Sequence, residues 1–137
     1  MKKIVIPSLI LIALLLVACQ PKAVTGENIS VTGGSYTDIT SKELNTMLKN
    51  KDFVFINVHI PYAGSISGTD LSIPYDQIAQ NLSQLPAEKD TKIVLYCRSG
   101  HMSQIAAEKM ISLGYTNVWN LKGGMMDWEQ AGFDIEK

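Results

Sequence analysis

The sequence predicts an α/β protein whose parallel sheet is covered by helices on both faces. Two observations predict it. The runs DFVFINV (52–58), TKIVLYC (91–97) and NVWNL (117–121) are almost continuously apolar rather than alternating, as strands buried on both faces are. Segments with helical spacing or caps lie between and around them, and such alternation is the signature of a parallel sheet. The length of 137 residues suits one domain of this kind.

The chain opens with MKKIVIPSLILIALLLVACQ, in which Lys2 and Lys3 precede an apolar run from Ile4 to Ala18. A basic start and a short apolar run read as a secretory signal, outside the fold. The run falls short of the roughly 20 residues a membrane-spanning helix needs. It ends in Leu16-Val17-Ala18-Cys19, which resembles a lipobox. The resemblance implies a signal peptide over 1–18, a lipidated Cys19, and a membrane anchor of two acyl chains. The plainer alternative is an ordinary signal peptide with a chance cysteine. The expected location is the cell envelope, on the extracytoplasmic side. Gln20 is not a retention signal of the Asp type, which favours the outer membrane where a cell has one.

Residues 20–35, QPKAVTGENISVTGGS, are rich in Gly, Ser, Thr and Asn without a sustained period. With Cys19 they read as a flexible tether over 19–35, and the folded domain is expected over 36–137. YTDIT (36–40) is a short strand candidate. Thr40 and Glu43 are spaced as a capping box, and Leu44, Met47 and Leu48 give the helix that follows its apolar face. HIPYAGSISGTDLSIP (59–74) reads as a long loop. YDQIAQNLSQL (75–85) reads as a helix on Ile78 and Leu82, with Pro86 beyond it. SQIAAEKMISLGY (103–115) reads as a helix with Ile105, Ala106, Met110 and Leu113 on one face and Gly114 as its stop. GGMMDWEQAGF (123–133) supplies a glycine pair and a short closing helix.

Charge narrows the partners. Removing Lys2 and Lys3 from the 12 basic residues leaves 10 against 13 acidic ones, a net charge of −3. Neither a nucleic-acid site nor a basic headgroup patch is expected. With Cys19 acylated, Cys97 is the one remaining thiol of the two cysteines. A lone thiol outside the cytoplasm is a liability unless it is buried or used.

Cys97 ends a strand and stands just before a helix, the place where parallel sheets carry their sites. A helix N-terminus and a tight loop both direct N–H groups at an anion. Ser99 and Gly100 suit such a loop, and Arg98 adds a fixed cation. Thiolate is the reactive form of cysteine, so the surroundings fit a nucleophile. A core cysteine before an ordinary turn is the competing reading.

The wider stretch YCRSGHMSQIAAEKMISLGYTNVWNLKGGMMDW (96–128) resembles the second half of a rhodanese domain, with its C-R-S-G-x-R-S loop and V-x-x-L-x-G-G-x-x-x-W ending. The likeness covers about Thr37 to Phe133. It implies a single domain with a five-stranded, mostly parallel sheet. It also implies that Cys97 accepts sulfane sulfur as a persulfide, cradled by the loop Arg98, Ser99, Gly100, His101, Met102 and Ser103. The partners implied are a small sulfur-containing anion or persulfide as donor and a thiol, cyanide or sulfite as acceptor. No cofactor or metal is called for, and a monomer is expected.

Three departures matter. Asn57-Val58-His59 stands where the family usually has Asp-Val-Arg. The following loop lacks the family's G-H-I-P-G-A. Met102 replaces the second loop arginine. Cysteine phosphatases need Cys-x5-Arg, whose fork grips the phosphoryl group; here that position is Ser103, so phosphatase chemistry is set aside. Loss of the second cation also favours a donor less anionic than thiosulfate. A rhodanese-fold carrier or interaction module without turnover is the main alternative. A Cu(I) site built from Cys97, His101, Met102 and His59 is a lesser one, because adjacent residues on one tight turn rarely converge.

His59 and Tyr62 follow the strand 52–58 at the same sheet end as Cys97. They read either as pocket wall or as loop residues with local hydrogen bonds. Asn57 is expected to bond loop backbone. His101 either touches the acceptor or faces solvent. Ser99 and Ser103 are both candidates to cap the helix, Ser103 the better one, and Trp128 is expected in the core.

Overall fold

The computed structural model describes residues 22–137. The expected signal segment 1–18 and the lipidation site Cys19 lie outside the described residues. Six strands form one sheet: β1 (Glu27–Val31), β2 (Gly34–Ile39), β3 (Val54–Asn57), β4 (Leu71–Ser72), β5 (Ile93–Tyr96) and β6 (Val118–Leu121). Their order across the sheet is β1-β2-β6-β5-β3-β4. The β1–β2 pair is antiparallel and every other pair is parallel.

The expected strand count of five is therefore corrected to six. Two short strands came from stretches read as irregular. Residues 27–31, assigned to the flexible tether, instead pair with β2 over five residues, from Glu27↔Asp38 to Val31↔Gly34. The folded body thus begins well before Tyr36. The exposed, alternating β1 has half-buried Ile29 and Val31 against the core, which suits an edge strand with one wet face. The long loop also contributes β4, which pairs with β3.

Both faces of the sheet are covered, as the apolar runs require. On one face Ile56, Val58, Leu95 and Cys97 pack with Ala106, Ala107, Met110 and Ile111 of α2 (His101–Ser112). On the other, Phe55, Val94, Tyr96 and Leu121 pack with Leu44 of α1 (Ser41–Leu48) and Met125 and Trp128 of α3 (Gly124–Gln130). Each fully buried Leu, Ile or Phe contributes about 1.5–3 kcal/mol. Alternation along β5 sends Leu95 and Cys97 to the α2 side and Val94 and Tyr96 to the α1/α3 side.

Local signals set the helix ends. Thr40 caps α1: the Glu43 N–H donates to its Oγ1 at 3.3 Å and the Thr40 N–H to Glu43 Oε2 at 2.8 Å. Gly114 stops α2 at φ 90°. The Tyr115 N–H reaches Met110 O at 3.1 Å and the Gly114 N–H reaches Ile111 O at 3.0 Å, the paired bonds of a Schellman end.

Two helix expectations change. Residues 75–85 form only a 3₁₀ stretch at Ala79–Gln84, broken at Asn81, with Ile78 buried and Leu82 exposed. Two apolar points four apart were too little to define an α-helical face. In α2, Ile105 is exposed while Ala107 and Ile111 are buried, so its apolar stripe is rotated by part of a turn.

Parallel pairing brings the ends of β2, β6, β5 and β3 to one edge, through Ile39↔Leu121, Leu95↔Asn120 and Asn57↔Tyr96. Cys97 and His59 emerge there.

Candidate active site

The β5 ladder ends at Tyr96, and Cys97 continues it inward, 1% exposed. Arg98 and Ser99 turn out to solvent. Gly100 then adopts φ 95° and becomes the N-cap of α2, a conformation that L side chains resist. The turn folds the chain back over the sulfur. The Gly100 N–H donates to Cys97 Sγ at 3.1 Å, and the Ser103 hydroxyl lies 3.5 Å from the same atom. Sγ therefore sits under the start of a helix, where first-turn N–H groups lack intrahelical partners.

Ser103 is not the N-cap. It lies inside α2, fully buried, with its hydroxyl donating to Gly100 O at 3.1 Å. The cap lies at Gly100, before Ser103 by three positions, because Gly100 at positive φ performs the cap's backbone turn.

The outer side of the loop is clamped by α3. The Met125 N–H donates to Cys97 O and the Met126 N–H to Arg98 O, both at 2.9 Å. This contact requires Gly124. At φ 59°, a Cβ there would stand 2.4 Å from Cys97 O and 2.7 Å from Arg98 O. A Cβ on Gly100 would lie 3.1 Å from the Gly123 nitrogen. The glycine pair thus fixes the carbonyl side of the Cys97 loop. The spacing of the GG pair was visible in the sequence, but the contact it makes was not.

The remaining site residues separate. His101 is exposed. Met102 is half-buried against the α2-side core, so a thioether occupies a place where the family pattern puts a cation. Arg98 lines a cleft of about 230 Å³ with Ala63, Met125, Glu129, Ile135 and Lys137. His59 and Tyr62 line a different cleft, also of about 230 Å³, with Asn57, Ser72 and Ile73. Tyr62 is 62% exposed, its hydroxyl 2.9 Å from Ser65 Oγ. Trp128 belongs to the core, and its indole N–H donates to Asp134 O at 2.9 Å.

Asn57 organises the loop after β3. It is buried, donates from Nδ2 to Gly64 O at 3.0 Å and accepts the His59 N–H at 3.0 Å. Tyr96 supports the same loop from below. Its hydroxyl accepts the Ile66 N–H at 3.0 Å and lies 2.7 Å from Thr69 Oγ1, and burial raises its pKa. The imidazole of His59 is half-buried, and its Nδ1 is buried without a hydrogen-bond partner among the described residues. Burial, and secondarily the nearby Arg98 guanidinium, hold its pKa below the ordinary imidazole value.

Comparison with known proteins bears on the family and the fold. The Rhodanese-like domain family matches residues 40–131. A sulfurtransferase of Allochromatium vinosum is 31% identical over 101 residues, covering 72% of this chain and 92% of that protein. A tRNA uridine(34) hydroxylase of Escherichia coli is 30% identical over 102 residues, covering 70% of this chain. The chain spans only 29% of that hydroxylase's length. Among solved structures, a rhodanese-related protein from Thermoplasma volcanium superposes with a TM-score of 0.62 at 26% identity, over 73% of this chain and 97% of its own. A rhodanese-like domain protein from Staphylococcus aureus gives 0.59 at 27% identity, over 73% and 98%. Family match, relatives and the loop around a buried cysteine converge, and the chain belongs to the rhodanese-like family.

Proposed function

We propose that this protein transfers sulfane sulfur through a persulfide on Cys97, anchored at the extracytoplasmic face of the cell envelope by lipid on Cys19. The observation that carries the chemical half is the setting of Sγ, 3.1 Å from the Gly100 N–H and 3.5 Å from Ser103 Oγ at a helix start. A hydrogen bond to a charged acceptor contributes about 1.5–3 kcal/mol; the Gly100 N–H supplies one to an anionic sulfur, while the single Ser103 proton has both Sγ and Gly100 O within reach.

The reaction runs in two displacements. Cys97 thiolate attacks the outer sulfur of a persulfide or polysulfide donor. The new S–S bond forms as the donor's S–S bond breaks, and the donor thiolate leaves. An acceptor thiolate then attacks the outer sulfur of Cys97–S–S⁻, taking it and releasing Cys97 thiolate. Each displacement exchanges one S–S bond for another, so no external oxidant or reductant is consumed. Half-buried Met102 supports a donor of lower charge than thiosulfate, because the loop carries one cation, Arg98, instead of two. The anchor and location rest on the sequence of residues 1–20 alone.

The test treats the soluble domain, residues 20–137, with polysulfide and measures intact mass. One added sulfur on the wild type and none on Cys97→Ser is expected. Equal addition to both proteins, or none to the wild type, overturns the reading. Turnover with several acceptors separates an enzyme from a carrier, the second reading, which the 1% exposure of Cys97 favours. Loss of membrane association in Cys19→Ala full-length protein tests the anchor.

A further inference from the structure

The segment that leads into β1 is docked on the domain. Val24 packs against the α1/α3-side core, and Lys22 to Thr25 share a cleft with Glu43 and Thr46 of α1. The chain reverses at Gly26. Its φ is 60°, and a Cβ there would stand 2.5 Å from Thr37 Cγ2 and 2.6 Å from Asp38 O. Glu27 then pairs with Asp38, next to the Ile39↔Leu121 pair, so β1 starts near the Cys97 edge of the sheet. Lys22 lies towards the other edge.

There Lys22 lines a cleft of about 250 Å³ with Asn50, Asp52, Lys92 and Trp119. Asp52 and Lys92 precede β3 and β5, and their side chains pair at 3.0 Å. These two strands are parallel, so the cleft marks the edge at which they begin. Cys97 lies five residues on from Lys92, which is about 17 Å along the strand direction.

Gln20 and Pro21 are the two residues between Cys19 and Lys22. Three residue steps span at most about 11 Å, less than the length of β5 that separates the cleft from Cys97. We propose that the sheet edge where β3 and β5 begin faces the bilayer, with Lys22, Asn50 and Trp119 towards the lipid, and that Cys97 opens away from it. This rests on the Cys19 anchor proposed above. The short leash sets the orientation rather than charge, since Lys92 is paired with Asp52 and Lys51 with Asp70. Half-buried Trp119 suits that face, because indoles settle at the headgroup level of a membrane. Sulfur donors and acceptors then reach Cys97 from the aqueous side.

The experiment expresses the full chain in a bacterial host that processes lipoproteins and checks acylation of Cys19 by mass. The protein is reconstituted in phosphatidylcholine vesicles that carry a nitroxide on part of their headgroups. In a Cys97→Ser background, Asn50→Cys or His101→Cys supplies the one free thiol for a fluorophore. Both positions are exposed, so both variants should fold, and circular dichroism checks it. The Asn50→Cys label should lose most of its emission to the nitroxide, while the His101→Cys label should keep most of its own. A Gly/Ser insert of about 20 residues between Pro21 and Lys22, with a root-mean-square span of about 25 Å, should abolish that difference. Equal quenching of the two labels in acylated protein without the insert, or stronger quenching at His101→Cys, overturns the orientation and leaves the anchor standing. A difference that survives the insert overturns the short leash as its cause. An unacylated Cys19 overturns both the anchor and the orientation.

Discussion

The α-carbon of Gly124 lies so near the Cys97 carbonyl that a methyl group on it would stand 2.4 Å from the oxygen. The glycine also has φ 59°, so an alanine there meets both a backbone clash and left-handed strain. Gly132 separates the two effects, since it has φ 90° with nothing within 4 Å of its added Cβ. Gly132→Ala should cost about 1 kcal/mol from conformation alone. Gly124→Ala should cost on the order of 3 kcal/mol and disturb the loop that cups the sulfur. Urea unfolding gives the stabilities, and the rate of Cys97 alkylation reports the loop. Equal costs for the two variants would show that the contact with Cys97 carries no weight.

Asn57 explains in physical terms why the family's usual aspartate is missing. Its Nδ2 donates to Gly64 O at 3.0 Å in a site 2% exposed. A carboxylate cannot donate, and it would place a negative charge against that carbonyl. Asn57→Asp, although it restores the common family residue, should destabilise by about 3 kcal/mol. The urea midpoint at neutral pH checks it, and an unchanged midpoint would mean that the 59–68 loop does not depend on this bond.

Ser103 touches the nucleophile candidate from inside α2. Its hydroxyl lies 3.5 Å from Cys97 Sγ and 3.1 Å from Gly100 O. Gly100 O also accepts the Gln104 N–H at 3.1 Å, so its loss to an alanine leaves that carbonyl satisfied. Ser103→Ala should therefore cost little stability, about 1 kcal/mol or less. Weakening an anion-facing hydrogen bond by about 1 kcal/mol should slow Cys97 alkylation by iodoacetamide about fivefold. A rate equal to wild type would remove Ser103 from the cradle.

The parts of this fold that were legible in the sequence are those whose signal is dense. Ile93 to Cys97 and Val118 to Leu121 are buried almost throughout, and no turn or surface segment reads that way. Thr40 with Glu43, and Gly114, mark helix ends by chemistry local to a few residues. The β1 hairpin was not legible, because an edge strand exposes Glu27, Asn28 and Ser30 and its glycine-rich turn resembles a linker. Nor was the docking of Ile135 to Lys137, which depends on a partner some 70 positions away, at Ser65. At the site, sequence located Cys97 and its helix, but misplaced the cap at Ser103. The positive φ of Gly100 and the tight approach of Gly124 are relations between backbones, and residue type alone does not show them.

His59 offers the test that reads electrostatics at this edge of the sheet. Burial is the larger cause of its lowered pKa, and the Arg98 cation the second. The chain has two histidines, His59 and His101, so their NMR titrations are easily told apart by a His101→Gln variant. His59 should titrate below about 6.5, the ordinary imidazole value. Arg98→Gln should move it upward without reaching that value, since burial persists. The sign of the stability effect follows from linkage. Because the folded pKa lies below the unfolded one, the unfolded chain binds this proton more readily. Stability is full above the unfolded value and is lost as pH falls from there through the folded pKa. His59→Gln removes that loss, so its unfolding free energy should vary less with pH across this window than that of the wild type. A His59 titration at or above the ordinary value, or an Arg98→Gln shift downward, would contradict the burial and charge assigned to this imidazole.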